Sequence, residues 1–322
     1  MEKFDVTALG ELLIDFTENG QSKQGNPLFE ANPGGAPCNV LAMLSKLGNK
    51  TAFIGKVGND FFGEQLKNAI IEVGIDASCL RMDEQVHTTL AMVHTASDGD
   101  RDFSFYRNPG ADMMLTEDEI PQDVIKSSKI FHFGTLSMTH EGVRLATKKA
   151  INTAKEAGVL ISFDPNLRPP LWNSLDEAKE QVLYGLEYCD ILKISDNEIQ
   201  WLTEKNDYSE GVEWINKRYN IPLILVSMGK DGSRAYYNGR MVEVASFIQK
   251  NTIETTGAGD TFYGCVLHYI CNHGILNLTD DNLTEMLRFA NAAASIITTR
   301  KGALRVMPDR EEVEKLISEY MI

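Results

Sequence analysis

Positive charge is scarce in this chain. Lys and Arg number 31 against 46 Asp and Glu, a formal net charge of −15, and no basic cluster breaks the acidic background. Proteins that grip a nucleic-acid backbone draw affinity from such clusters, so that class is excluded. Cysteine is sparse too. Cys38, Cys79, Cys189, Cys265 and Cys271 are scattered, odd in number and without C-x-x-C spacing. They read as reduced thiols in a cytoplasmic protein, not as a disulfide frame or metal site. No apolar stretch reaches membrane-spanning length, and the first residues lack the basic-then-apolar pattern of a secretory signal. His87, His94, His132, His140, His268 and His273 show no metal-ligand spacing. The dinucleotide pattern G-x-G-x-x-G and the P-loop pattern G-x-x-x-x-G-K-[ST] are also missing.

What is present is a regular alternation. With 322 residues the chain can bury a large core. From Lys129 onward, apolar runs of strand length alternate with helical periods: strand 130–133, helix 140–157 closed by Gly158, strand 159–163, helix 175–187, strand 190–194. Such alternation implies a mainly parallel sheet with helices on both faces and ligands at the carboxyl ends of strands. Phe4 to Gly10 reads as a buried strand whose apolar run continues to Asp15. Residues 17–32 are polar and suit an exposed hairpin. Two β-favouring runs, 88–95 and 102–107, flank Ala96-Ser97-Asp98-Gly99-Asp100, a hairpin signal.

The stretch Thr252-Ile253-Glu254-Thr255-Thr256-Gly257-Ala258-Gly259-Asp260-Thr261-Phe262 organises the rest. It stands between an alternating strand (240–247) and a helical pattern starting near Ala258. Three small residues let the backbone turn tightly and uncover N–H groups that a helix N-terminus directs at an anion. Asp260 in the same mouth is either a helix cap or a general base for a hydroxyl whose oxygen receives a phosphoryl group. Asn32-Pro33-Gly34-Gly35-Ala36-Pro37-Cys38-Asn39 opens another helix, stopped at Gly48, with the same kind of donor-rich turn.

These residues together resemble the ribokinase-like family of sugar kinases, whose late signature reads close to D-T-x-G-A-G-D-x-F and whose early one reads G-G-x-x-x-N. Glu254 departs from it, standing where the family usually has Asp. Phe105-Tyr106-Arg107-Asn108-Pro109-Gly110-Ala111-Asp112 and Asp164-Pro165-Asn166-Leu167-Arg168 are similar to the fructokinase branch in particular. The resemblance implies a three-layer α/β/α fold with a small β-sheet lid from segments 11–32 and 87–110. It also implies an ATP-dependent kinase making fructose 6-phosphate, with Asp260 as base and the amides of Gly257, Ala258, Gly259 and Asp260 holding charge. Asp15, Gly34, Gly35, Asn39, Arg107 and Arg168 are then sugar contacts. Lys193, Glu198, Ser227, Gly229, Gly232 and Asn291 are then nucleotide contacts, with Glu198 organising Mg²⁺ through water. Glu254, Thr256, Ile297, Arg300 and Gly302 form a K⁺ candidate, partly by backbone carbonyls. A homodimer through the lid is expected. Two other readings stay open: a kinase for 2-keto-3-deoxygluconate or another sugar, with Arg107 or Arg168 as the extra cation, and a non-catalytic binding module.

Overall fold

The computed structural model describes residues 3–95 and 101–320; the expected turn at Ala96–Asp100 lies outside them. In chain order the elements are β1 (Phe4–Leu9), β2 (Leu13–Gln21), β3 (Pro27–Gly34), α1 (Ala36–Lys46), β4 (Thr51–Gly58), α2 (Phe61–Glu72), β5 (Ile75–Asp76), β6 (Leu80–Asp83), β7 (Leu90–Thr95), β8 (Arg101–Tyr106), α3 (Gln122–Lys126), β9 (Ser128–Gly134), α4 (Glu141–Glu156) and β10 (Leu160–Asp164). They continue with α5 (Leu175–Tyr188), β11 (Ile191–Ser195), α6 (Asp196–Thr203), α7 (Tyr208–Tyr219), β12 (Leu223–Ser227), β13 (Ser233–Tyr237), β14 (Arg240–Val244), α8 (Ala258–His273), α9 (Asp280–Ile297) and α10 (Arg310–Glu319).

The main sheet runs β14-β13-β12-β11-β10-β9-β1-β4-β5, with β6 also on β4. It is parallel from β12 to β5 and antiparallel only at the β12-β13-β14 edge. Its strands are apolar on both sides because helices cover both. In β12, Leu223 and Leu225 face the core shared with α1, α8 and α9, while Ile224 and Val226 face the core shared with α4 to α7. A second sheet, β3-β2-β7-β8, stands apart from the first. The apolar run from Phe4 to Asp15 therefore does not form one strand. It leaves the main sheet after Leu9 and enters the small sheet at Leu13.

Element ends follow local chemistry. α9 starts at Asp280 because Thr279 and Asn282 cap it reciprocally. β14 stops at Val244, three residues short of the alternating pattern, where the Asn291 amide takes the carbonyls of Val244 and Ala245. Among the described residues, no helix is long and apolar enough to cross a membrane.

Two contacts set the position of α8. A Cβ on Gly264 would lie 2.7 Å from Cβ of Met43 and 2.9 Å from the Val40 carbonyl oxygen, so only glycine lets α8 lie this close to α1. On its other side, the buried Tyr263 hydroxyl donates to the Ile191 carbonyl at 2.9 Å and accepts from Ser162 Oγ at 2.7 Å. Ser162 Oγ is also 3.0 Å from His132 Nδ1, and burial holds that imidazole neutral, its pKa lowered to about 3. The second turn of α8 is thus pinned between α1 and the strands β10 and β11.

Candidate active site

A cavity of about 350 Å³ opens at the carboxyl ends of β1, β10 and β11. Its walls are Glu11, Leu13, Asp15, Gly35, Ala36, Asn39, Phe105, Leu136, Asn166, Arg168, Lys193, Thr255, Thr256, Gly257, Gly259 and Asp260. Both signature turns meet there although more than 200 positions separate them. Asn39, in the first turn of α1, donates from Nδ2 to Asp260 Oδ2 at 2.8 Å. Its own Oδ1 is buried without a hydrogen-bond partner. A buried orphan acceptor in a cavity wall needs a donor, and a ligand hydroxyl is one.

Asp260 sits in the first turn of α8, preceded by Gly257 with φ 76. A Cβ on Gly257 would come within 2.6 Å of Ala303, so the tight turn excludes any side chain there. Burial raises the Asp260 pKa, while the Asn39 hydrogen bond and the charges of Lys193 and Arg168 pull it back. A carboxylate raised in this way is a better proton acceptor than one in water. The Ala258 N–H turns back to the Thr255 carbonyl at 3.2 Å, and the Thr261 N–H takes the Gly257 carbonyl at 2.8 Å. The amides left at the mouth of the helix are those of Gly257, Gly259 and Asp260. Ala258 does not share in it, contrary to the sequence expectation, because its donor is spent on the turn.

Lys193 supplies positive charge. It ends on Asp164 with Nζ 3.0 and 3.1 Å from the two carboxylate oxygens, both side chains buried. Burial lowers the Lys193 pKa, but Asp164, Glu198 and Asp260 outweigh it and the ammonium stays charged. A Cβ on Gly259 would lie 3.2 Å from Nζ, so the missing side chain leaves the ammonium at the helix mouth. Arg168 stands opposite, with NH1 bonded to Asn166 Oδ1 at 2.8 Å. Asn166, at φ 44, makes the turn that brings both into the cavity.

Several predicted site residues are placed elsewhere. Arg107 does not reach the cavity. Its guanidinium bonds Asp112, Thr139 Oγ1 and the Leu136 carbonyl, which seals it in. Phe105, two residues earlier, takes the place in the wall. Gly34 is behind the wall, against Asp15. Glu198 has one oxygen on the Leu167 N–H at 2.7 Å and the other on Ser195 N and Oγ at 2.8 Å, which makes it a brace between two loops. Asn291 spends its amide on Ser233, Val244 and Ala245. Ser227, Gly229 and Gly232 form the neighbouring turn, where a Cβ on Gly232 would strike the Val244 carbonyl at 2.1 Å. None of these four lines the cavity around Asp260.

For metal ions, no group of three or more His, Cys, Asp or Glu among the described residues could form a cage. With both its oxygens engaged, Glu198 does not fit a direct Mg²⁺ ligand. Around the K⁺ candidate, Glu254, Thr256 and Gly302 border one small cavity with Asp15 and Asn32. Glu254 Oε1 accepts the Gly302 N–H at 2.7 Å. Ile297 and Arg300 do not border it. The Ile297 carbonyl takes the Arg300 N–H at 3.0 Å, and the Arg300 side chain runs to Val306 and Glu312.

Glu11 is the cavity acid that the sequence reading missed. Its one signal was an acid inside the apolar run from Phe4 to Ile14.

Comparison with known proteins agrees with this geometry. Residues 3–310 match the family model described as pfkB family carbohydrate kinase. Probable fructokinase-4 of Arabidopsis thaliana is 42% identical over 318 residues, covering 98% of this chain and 97% of that protein. Fructokinase-2 of Solanum lycopersicum is 40% identical, with 97% and 95% covered. Among solved structures, fructokinase with bound ATP from Xylella fastidiosa superposes with a TM-score of 0.90 at 29% identity, covering 100% of both chains. A putative ribokinase II from E. coli gives 0.87 at 26%, covering 98% of this chain and 99% of that one. A chain that matches this model over nearly its whole length, and keeps a buried Asp at the Gly-Ala-Gly turn, belongs to the pfkB family of carbohydrate kinases.

Proposed function

We propose that this protein is an ATP-dependent fructokinase that phosphorylates the 6-hydroxyl of D-fructose. The observation that carries this reading is the Asn39–Asp260 contact at 2.8 Å, in a cavity that also holds Asp15, Arg168 and Lys193. The fructokinases among its relatives support the sugar. Arg107, paired with Asp112 and sealed, offers no cation to a substrate carboxylate, so the keto-acid alternative would have to rely on Arg168.

The residues divide the work. Asp260 takes the proton of the attacking hydroxyl, whose oxygen forms the new bond to the γ-phosphorus as the bond to the β-phosphate oxygen breaks and ADP leaves. The amides of Gly257, Gly259 and Asp260, with Lys193 and Arg168, hold the charge of the migrating group. Asn39 fixes the angle of Asp260, and its free Oδ1 accepts from the sugar. Mg²⁺ bound to the ATP phosphates would neutralise their charge at the cavity that Lys193 and Arg168 line. The oxygen donors at Glu254, Thr256 and Gly302 fit K⁺. The loop of Ser227, Gly229 and Gly232, with Asn291 bracing its base, borders the nucleotide.

We assign the small sheet two roles, a cover that excludes water and a homodimer contact. Leu28, Phe29 and Tyr106 on it are 46%, 39% and 65% exposed, which suits such a contact. The buried thiols of Cys38, Cys79, Cys189 and Cys265 suit a cytoplasmic setting.

The test is ADP release with Mg²⁺-ATP and K⁺ against fructose, ribose, glucose, 2-keto-3-deoxygluconate and fructose 1-phosphate. Fructose should be turned over at rates of roughly 1–100 s⁻¹, with little from the rest. Preference for the keto acid overturns the substrate and leaves the chemistry. No turnover of any sugar by folded protein overturns the kinase assignment.

A further inference from the structure

Glu11 is a buried acid that the phosphoryl-transfer scheme leaves unused. It belongs to no strand or helix, lies in the short link between β1 and β2, and is 4% exposed. It borders the active cavity and a smaller one beside it, shared with His132, Thr135 and Asp164. Its Oε1 accepts the Ala36 N–H at 2.8 Å, the first amide of α1. The cap residue of that helix is Gly35, which has no side chain to serve the opening amides. Glu11 caps the helix from another segment. Gly35 also folds onto the Glu11 backbone: its φ is 125, and a Cβ there would meet the Glu11 carbonyl oxygen at 2.4 Å. One turn on, the Asn39 N–H returns to the Gly35 carbonyl at 3.0 Å, and the Asn39 amide holds Asp260.

We propose that Glu11 is a positioning residue of the reaction, fixing the Gly34-Gly35-Ala36 turn under the sugar and, through α1, the Asn39 amide that aims Asp260. The proposal rests on the sugar-kinase reading of the cavity. The groups facing Glu11 define how it responds to pH. Burial pushes its pKa up to about 7, its own amide and that of Ala36 draw it back, Asp112 adds to the rise and Arg107 opposes it. Cys38 on α1 is a neutral thiol, its pKa raised by burial and by Glu11. Across the smaller cavity stand the neutral His132 of β9 and Asp164 of β10. The ionised form makes the stronger, charge-assisted bond to the Ala36 N–H, so the turn is held more firmly above neutrality.

The test begins with the wild-type enzyme, fructose and ATP. Failure to turn over strikes the fructokinase reading and not this one. Two variants then separate the roles. Glu11→Gln keeps an acceptor for the Ala36 N–H, and Glu11→Ala removes it. The Ala variant should raise KM for fructose roughly ten-fold or more, lower kcat less, and leave KM for ATP within about two-fold. The Gln variant should return KM for fructose to within about three-fold of wild type. Wild-type KM for fructose should fall between about pH 6 and 8, and that of the Gln variant should fall clearly less, by the part not due to Asp164, whose pKa burial also raises to about 7. An Ala variant with unchanged KM overturns the proposal, as does equal loss in both variants or a Gln variant that keeps the wild-type pH dependence. If the Ala variant does not fold, the Gln pH profile decides alone.

Discussion

Two buried ion pairs lie near the active cavity, and they differ in what they leave unused. Arg107 and Asp112 are 8% and 4% exposed, Lys193 and Asp164 6% and 2%. In the first pair all three nitrogens of the guanidinium are bonded, to Asp112, Thr139 and the Leu136 carbonyl, and Thr89 covers the other carboxylate oxygen. In the second, an ammonium with three donors gives two to Asp164 and keeps one for the mouth of α8. The same kind of pair is a rivet in one place and a tool in the other. Burial and charge alone do not tell them apart; a place in the cavity wall, which Lys193 has and Arg107 lacks, does.

The sharpest way to break this comparison is to remove each cation. Lys193→Met should lower kcat by roughly 10²–10³-fold, the scale of losing one preorganised charge from a transition state. A kcat within a few-fold of wild type would place Lys193 with Arg107. Arg107→Met should instead cost about 3–5 kcal/mol of stability, because Asp112 is left buried and unpaired. Denaturant unfolding measures that loss, and turnover per folded molecule should stay within about five-fold. If the double variant Arg107→Met/Asp112→Leu recovers about 1–3 kcal/mol relative to the single one, the pair is a rivet.

A smaller effect concerns Glu11, which has no cation at bonding distance among the described residues. Its folded value of about 7 lies above the ordinary 4.5, so the folded state holds the proton more tightly. The stabilising effect is complete below pH 4.5 and is lost as pH rises through 7. Glu11→Gln should therefore gain on wild type by about 1–3 kcal/mol between acidic and alkaline melts. A constant difference across that range would contradict the burial of a free acid.

Much of this molecule was legible in its sequence. Glycine stops and period changes marked the βα units from Lys129 onward, since strands buried on both faces read as continuous apolar runs. The Gly257-Ala258-Gly259-Asp260 turn was legible because a positive φ and a close neighbour permit few residues. The partners of side chains were not. Arg107 and Asp112 stood in one quoted block, yet only the turn after β8 folds the guanidinium away from the cavity. Asn291 is buried in brace contacts with residues 47 and 58 positions away. Glu11 drew no reading because its partner, Ala36, lies 25 positions on. Contacts made across such separations depend on packing, such as the α1–α8 approach at Gly264, which no local pattern carries.

The central claim is that Asp260, held by Asn39, is the base of this kinase. The direct measurement is fructose-dependent ADP release by Asp260→Asn, with ATP binding followed by calorimetry in the same preparation. The account predicts that kcat falls by roughly 10²-fold or more while ATP affinity stays within a few-fold. Activity within a few-fold of wild type in folded protein would contradict it.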